Sequence, residues 1–179
     1  MIYSERILSP VLRGGISNRS AARLEFGWIM VWQTDGMIRR VALASSFSGR
    51  SDPELKRVVE MVWQRGLKGM NLKFDFSGLS DFACRVLNLC AEIGFGQVRT
   101  YSELAGAAGV PGGARAVGQV MAHNPFCIFF PCHRVIAADG RLGGFTGGTE
   151  MKRRLLELEG WRVEGSGFNS RLVSHRHRS

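Results

Sequence analysis

The segment Pro125-Phe126-Cys127-Ile128-Phe129-Phe130-Pro131 places the tightest constraint on how this chain can fold. It carries no charge, so it must be buried, and its β-branched and aromatic residues favour an extended path. It ends in Cys132-His133-Arg134-Val135, so burying the run carries a thiol and an imidazole inward with it. The thiolate, not the thiol, is the attacking form of cysteine; a neighbouring base can take the proton while apolar surroundings keep the anion reactive. Cys132 is therefore a candidate nucleophile and His133 its candidate base. An inert buried cysteine beside a satisfied histidine fits the same residues.

A third group strengthens the first reading. Thr149 to Glu159 reads as a helix stopped by Gly160, with Met151, Leu155 and Glu159 on one line at i, i+4 spacing. A carboxylate on a buried stripe needs a partner. With His133 as that partner, Glu159 would orient the ring and favour its positive form, giving a Cys/His/Glu relay; a frayed last turn with Glu159 in water is the alternative. Between these elements, Gly140 to Gly148 holds five glycines in nine residues. Such a stretch lets backbone approach a ligand closely, or is simply a flexible loop, and it lacks the spacing of a phosphate-cradling motif.

Upstream, Thr100 and Glu103 form a capping box for a helix through about Ala108. Gly109 to Gly113 make a turn, and Ala114 to Met121 a second helix. Val117, Val120 and Met121 share its apolar face, while Arg115, Gly118, Gln119 and Ala122 lie opposite. A face of small residues with one arginine suits close approach to DNA, and suits a two-helix packing corner equally well. The charge balance favours a polyanionic partner: 24 Lys+Arg against 15 Asp+Glu give +9 and a pI near 10.3. Arg162, Arg171, Arg176 and Arg178 against Glu164 account for +3 of this, so the basic character extends beyond the C-terminal stretch.

In the first half, Phe26 to Gln33 and Ile38 to Ala44 are strand-like runs joined through Thr34-Asp35-Gly36, a hairpin signal. Asp52-Pro53 opens a helix with Leu55, Val58, Val59 and Val62 at helical spacing, and a short strand-like piece follows around Leu72 to Phe76. The expected organisation is α+β. Residues 1–77 form a small α/β domain, residues 78–160 a mostly helical domain with a helix-turn-helix and the cysteine, and residues 161–179 an unstructured basic tail. The longest apolar run is far short of a membrane span, and Met1 to Arg6 lack a secretory pattern, so a cytoplasmic, nucleoid-associated protein without a membrane partner is expected. Cys84, Cys90, Cys127 and Cys132 read as reduced thiols, and with no CxxC or regular Cys/His spacing no metal is expected.

Pro131-Cys132-His133-Arg134-Val135, preceded by Asn124-Pro125 and by Ala114-Arg115-Ala116-Val117-Gly118, is followed by Gly143 to Gly148 and by Leu155-Leu156-Glu157-Leu158-Glu159-Gly160. In that order these segments resemble the O6-alkylguanine-DNA alkyltransferases, from about Phe74 to Gly160. The first half matches loosely, as a Tyr3 strand with Ser9-Pro10 and a hairpin, similar to the family's variable N-terminal domain, with a ribonuclease-H-like sheet and helix.

The resemblance implies that Cys132 takes an alkyl group from O6 of a damaged guanine and keeps it, once and without a cofactor. It implies that His133 acts as base through a water, that Glu159 polarises it, and that Tyr101 protonates the leaving guanine and helps rotate the nucleotide. Arg115 would fill the gap left by the flipped base, and Asn124 would tie the turn before the active-site segment to the second helix. Ala114, Gly118, Gln119 and Tyr101 would meet DNA in the minor groove. Gly143, Gly144, Phe145, Thr146 and Phe130 would line the substrate pocket. The partner implied is duplex DNA carrying O6-alkylguanine, with O4-alkylthymine a further substrate the resemblance admits, and the chain is expected to act as a monomer. Several positions depart from the family pattern: Gly94 stands where many members have proline, Phe126-Cys127 where others carry small or cyclic residues near the pocket mouth, and Phe145 where some have tyrosine.

Three other functions compete. A non-catalytic binder of alkylation damage would lack the cysteine that Cys132 supplies. A thiol-sensing helix-turn-helix regulator would need a longer base-reading helix than one offering Arg115 and Gln119. A cysteine hydrolase would need an oxyanion site and an Asn or Asp partner that the sequence does not display.

Overall fold

The computed structural model describes residues 18–175. The expected strand at Tyr3, the Ser9-Pro10 pair, and Arg176-His177-Arg178 lie outside the described residues. The chain divides into two compact units, and the division is not a single cut: Pro125–Phe129 belong with residues up to Gly78, whereas Leu79–Asn124 and Phe130 onward make the second unit. The expected boundary at 77/78 places all of residues 125–129 in the second domain, and the structure differs there.

In the first unit, β1 (Asn18–Leu24), β2 (Gly27–Thr34) and β3 (Met37–Ala44) form an antiparallel sheet in that order. Asp35 (φ 52°) and Gly36 (φ 72°) make a two-residue connection with both residues left-handed, the turn whose twist matches its flanking strands. The strand β1 has no counterpart among the expected elements. Helix α1 (Pro53–Arg65) is capped by Asp52, whose side chain accepts the N–H groups of Glu54 at 2.9 Å and Leu55 at 3.1 Å. It buries Leu55, Val58, Val59 and Val62, and Trp63 meets Phe26 with ring centroids 4.6 Å apart.

Leu72 to Phe76, expected as a strand, makes only one bridge, Phe74 to Ile38. The run Pro125–Phe129 is buried as its composition requires, yet it too is not a strand. Phe126 bridges Val41 alone, and Ile128 takes φ 74°, a turn conformation that costs a β-branched residue strain. Side-chain packing holds it instead. Phe74 stands 5.1 Å from Phe126 and 5.6 Å from Phe129, ring to ring.

The second unit is mainly helical. Helix α2 (Asp81–Ala91), capped by Ser80, buries Val86, Leu87 and Cys90. A two-residue strand β4 (Arg99–Thr100) leads into α3 (Tyr101–Ala107), whose capping box between Thr100 and Glu103 is formed. Residues 108–113 turn the chain into α4 (Ala114–Ala122), which buries Val117 and Met121 and leaves Arg115, Gln119 and Ala122 exposed. A single 3-10 turn at Cys132–Arg134 runs into β5 (Val135–Ile136), parallel to β4. Helix α5 (Thr149–Leu158) follows the glycine-rich stretch.

The segment expected as an unstructured tail is ordered through residue 175. β6 (Trp161–Glu164) pairs with β7 (Arg171–His175), and Val163 joins Ile136, Leu142 and Leu156 in a core flanked by Trp161 and Leu172. Its alternating apolar residues are enough to dock it, and its arginines point outward.

Among the described residues no helix is long and apolar enough to cross a membrane.

Candidate active site

Pro131 ends the apolar run, and the 3-10 turn that follows spaces its side chains about 120° apart, so Cys132, His133 and Arg134 point in three directions. All three are buried, Cys132 at 2% exposure. The cap of α5 supplies the carboxylate they surround. Glu159 Oε1 lies 3.0 Å from His133 Nε2, and Arg134 donates from Nε to both carboxylate oxygens, at 3.0 and 3.1 Å, and from Nη2 at 2.7 Å. Gly96 N–H donates to Oε2 at 3.2 Å, and Arg134 Nη1 donates to Ile93 C=O at 2.7 Å.

Burial alone would raise the Glu159 pKa, but the hydrogen bonds and charges of His133 and Arg134 outweigh it and hold the carboxyl below its ordinary 4.5. An ionised Glu159 accepts the proton on Nε2, which makes Nδ1 the basic nitrogen of His133. Burial pushes His133 below its ordinary 6.5 despite Glu159, with Arg134 and Lys152 adding to the effect. Glu159 orients the imidazole and, as expected, favours its positive form, but burial outweighs that pull and leaves the ring neutral.

Burial raises the Cys132 thiol, and a hydrogen bond from the Asn124 side chain, the Lys152 charge and the local backbone N–H groups oppose the rise. Asn124 Nδ2 also donates to Phe130 C=O at 2.8 Å. Lys152 is fully buried, donates to Val135 C=O at 2.6 Å, and stands 5.7 Å from the centre of the Tyr101 ring. Burial lowers its pKa to about 8. Burial and the negative form of Cys132 push the Tyr101 phenol up to about 12, so Tyr101 keeps its proton.

Tyr101 also lines an open cleft of about 650 Å³, together with Ala114, Arg115 and Gly118 of α4 and Gly144, Phe145 and Thr146 of the glycine-rich stretch. Thr146 Oγ1 donates to Ala122 C=O at 2.9 Å, tying that stretch to α4. Gly143 supports the tyrosine from behind: with φ 70°, a Cβ there would fall 2.7 Å from Tyr101 Oη, so no other residue fits.

The structure therefore gathers seven of the expected residues around one cleft and sets Cys132, His133, Glu159 and Asn124 in the interior. Phe130, expected as a pocket wall, is buried at 3% exposure and does not line the cleft, and Gln119 is exposed on α4 outside it. Two residues escaped the sequence reading. Arg134 and Lys152 are charged, and charged residues are read as solvated by default; the signal for Lys152 was its place with Leu155, Leu156 and Glu159 at i, i+3, i+4 and i+7, the true buried stripe of α5. Among the described residues no three His, Cys, Asp or Glu side chains cluster as metal ligands.

Comparison with known proteins adds the decisive observation. The methylated-DNA--protein-cysteine methyltransferase of Methanothermobacter thermautotrophicus is 37% identical over 145 residues, covering 76% of this chain and 81% of that one. This chain belongs to the methylated-DNA--protein-cysteine methyltransferase family. Residues 81–161 match the family model described as 6-O-methylguanine DNA methyltransferase, DNA binding domain. A methyltransferase of the same name from Mycobacterium tuberculosis is 47% identical over 93 residues, 52% of this chain and 56% of its own length. The fold agrees with those of other methyltransferases. The Mycobacterium tuberculosis OGT crystallised in complex with DNA superposes with a TM-score of 0.65 at 32% identity, over 79% of this chain and 92% of that one. The O6-methylguanine-DNA methyltransferase of Pyrococcus kodakaraensis gives 0.66 at 28% identity, over 80% of this chain and 99% of that one.

Proposed function

We propose that this methyltransferase repairs DNA by moving the alkyl group of an O6-alkylguanine onto Cys132, irreversibly and once per molecule. The observation that carries the reading is the buried thiol of Cys132 next to a neutral His133 whose Nε2 is held 3.0 Å from Glu159.

The Cys132 proton passes through a water to His133 Nδ1, and the sulfur attacks the alkyl carbon. The S–C bond forms as the C–O6 bond breaks, and its electron pair leaves with the guanine oxygen. Tyr101, which enters with its proton, protonates the leaving guanine. Lys152 places positive charge near the thiolate, and Asn124 donates to the same sulfur. Each interaction is stronger for the anion than for the thiol, so it favours the charge that the reaction needs.

The substrate carbon lies within the base stack of a duplex, so the nucleotide must rotate out to reach a buried sulfur. We read α3 and α4 as a helix-turn-helix that enters the minor groove, where its small residues Ala114 and Gly118 permit close approach, Gln119 meets the groove wall, and Arg115 fills the space of the departed base. Gly144, Phe145 and Thr146 receive the base, with Gly143 holding Tyr101 in place. The first unit is read as ribonuclease-H-like. O4-alkylthymine presents the same alkyl–oxygen bond and is a second substrate of this reading. Every reacting group comes from one chain, as a monomer requires, and the place of action is the compartment holding the genome.

The test is intact-protein mass spectrometry after mixing with a duplex carrying one O6-methylguanine, followed by peptide mapping. The expected result is a gain of one methylene unit on Cys132, saturating at one per protein. Tight binding to the lesion without a mass change would sink the catalytic reading and leave a damage binder.

A further inference from the structure

Phe168 is the most exposed large apolar side chain among the described residues, at 79%, and it lies on the cleft that holds Tyr101 and Arg115. It is presented there by built structure. Gly165 has φ 83°, and a Cβ on it would fall 2.6 Å from Asn169 C=O, so this glycine is required for the loop to close. Asn169 N–H donates to Ser166 C=O and Ser170 N–H to Gly167 C=O, both at 3.1 Å, which closes a 3-10 turn around Phe168. Arg153 of α5 fastens the loop from below, donating to Gly165 C=O at 2.9 Å and Val163 C=O at 3.3 Å.

The same hairpin grips the glycine-rich stretch. Leu142 N–H donates to Ser170 C=O and Leu172 N–H to Gly140 C=O, each at 2.9 Å. One element therefore fixes the position of the cleft's glycine wall and adds an aromatic ring to its rim. Among the described lining residues Arg115 is the one charged side chain, while Tyr101, Phe145 and Phe168 contribute three aromatic rings. A cleft of about 650 Å³ with that lining suits a flat heteroaromatic ligand flanked by an anionic backbone, not a phosphate held by charge.

We infer that the β6–β7 hairpin is part of the lesion site and that Phe168 is a specificity-determining residue, stacking on the extrahelical alkylated base as it enters. The family match ends at residue 161, so the hairpin lies almost wholly beyond the matched domain. This inference rests on the alkyl-transfer reading above and names a contact within it.

The experiment is single-turnover transfer from an O6-methylguanine duplex to the full chain, resolved into a maximal rate and a half-saturating DNA concentration, for wild type, Phe168→Ala and Phe168→Tyr. Thermal melting and binding to the undamaged duplex serve as controls. Loss of one stacking partner predicts about a tenfold fall in the ratio of rate to half-saturation for the alanine variant, recovery to within about twofold for the tyrosine variant, and unchanged melting and undamaged-duplex binding. An alanine variant that transfers like wild type overturns the inference, as does an equal loss of binding to undamaged DNA, which would make Phe168 a general duplex contact. A wild-type chain that takes no methyl group removes the underlying function as well, and the wild-type arm tells the two failures apart.

Discussion

Arg134 grips Glu159 by both carboxylate oxygens, from Nε at 3.0 and 3.1 Å and from Nη2 at 2.7 Å, with both side chains almost wholly out of solvent. That fork sets a positive charge beside the neighbouring imidazole and helps to keep it neutral. Glu159 pulls a proton toward the His133 ring, but burial of the ring outweighs that pull and the Arg134 charge adds to the opposition. The imidazole stays neutral because it is buried, with the Arg134 and Lys152 charges adding to the effect.

Replacing that guanidinium has two expected effects. Arg134→Met leaves Glu159 buried with His133 as its main cationic partner, and breaking such a pair costs about 3–5 kcal/mol, which lowers the melting temperature by roughly 10 °C in a chain of this size. His133 then titrates higher, so the acid limb of the transfer rate moves to higher pH. Melting curves and a pH–rate profile check both. A destabilised variant with an unmoved acid limb would contradict the role assigned to Arg134.

Stability should respond to acid in a defined window. Unfolded His133 takes its proton near 6.5 and the folded ring only below that value. Between those two values the unfolded state therefore binds more protons, and stability falls as pH falls. Glu159 adds a loss of the same sign below 4.5, as pH falls through its lowered folded value. Above pH 6.5 these two groups contribute no slope. Urea unfolding at several pH values measures it, and a chain that gains stability between neutral pH and pH 5 would refute the assignment.

Lys152→Met should make a sturdier and slower protein. The folded ammonium titrates near 8 against an ordinary 10.5, so the unfolded state binds more protons between those values and stability rises with pH there. At neutral pH the buried cation is a net cost. Removing it, less the bond to Val135 C=O, stabilises by about 2 kcal/mol, a rise of roughly 5 °C in melting temperature. Transfer should slow by about tenfold as the thiolate loses a nearby cation. A variant that melts lower and reacts at the wild-type rate would reverse both assignments.

Cys132→Ser is expected to abolish transfer while keeping duplex affinity, measured by mass spectrometry and fluorescence anisotropy on the same lesion duplex. A serine hydroxyl stays protonated where a thiol can ionise, so the loss is chemical.

Arg115→Ala should slow repair of a duplex more than transfer from a free O6-alkylguanine base, because only the duplex has a gap to fill. Competition assays with the two substrates report the ratio, and an equal loss on both would remove the gap-filling role.

Much of this architecture was legible in the sequence, and the failures share a cause. Asp35-Gly36, Asp52-Pro53 and the Thr100/Glu103 box announced their turn and caps because each uses a residue whose own backbone or side chain makes the structure. β1, read Asn18-Arg19-Ser20-Ala21-Ala22-Arg23-Leu24, has no strong strand former, and its pairing with β2 determines it. Charge concealed the rest. The arginines of β6 and β7 disguised Trp161, Val163 and Leu172 as a loose tail, and the charges on Arg134 and Lys152 hid two groups buried at the reactive thiol.

The five residues Pro125–Phe129 have an inheritance of their own. A gene ending after Gly78 would encode the sheet and α1 without Phe126 and Phe129, the rings that cover Phe74. A gene starting at Leu79 would leave those same apolar side chains in water. Recombination at the apparent linker therefore yields two damaged pieces, and an exchange of the N-terminal domain has to carry this short insert with it. The segment that leads the chain to its nucleophile is tied to a part of the gene far upstream.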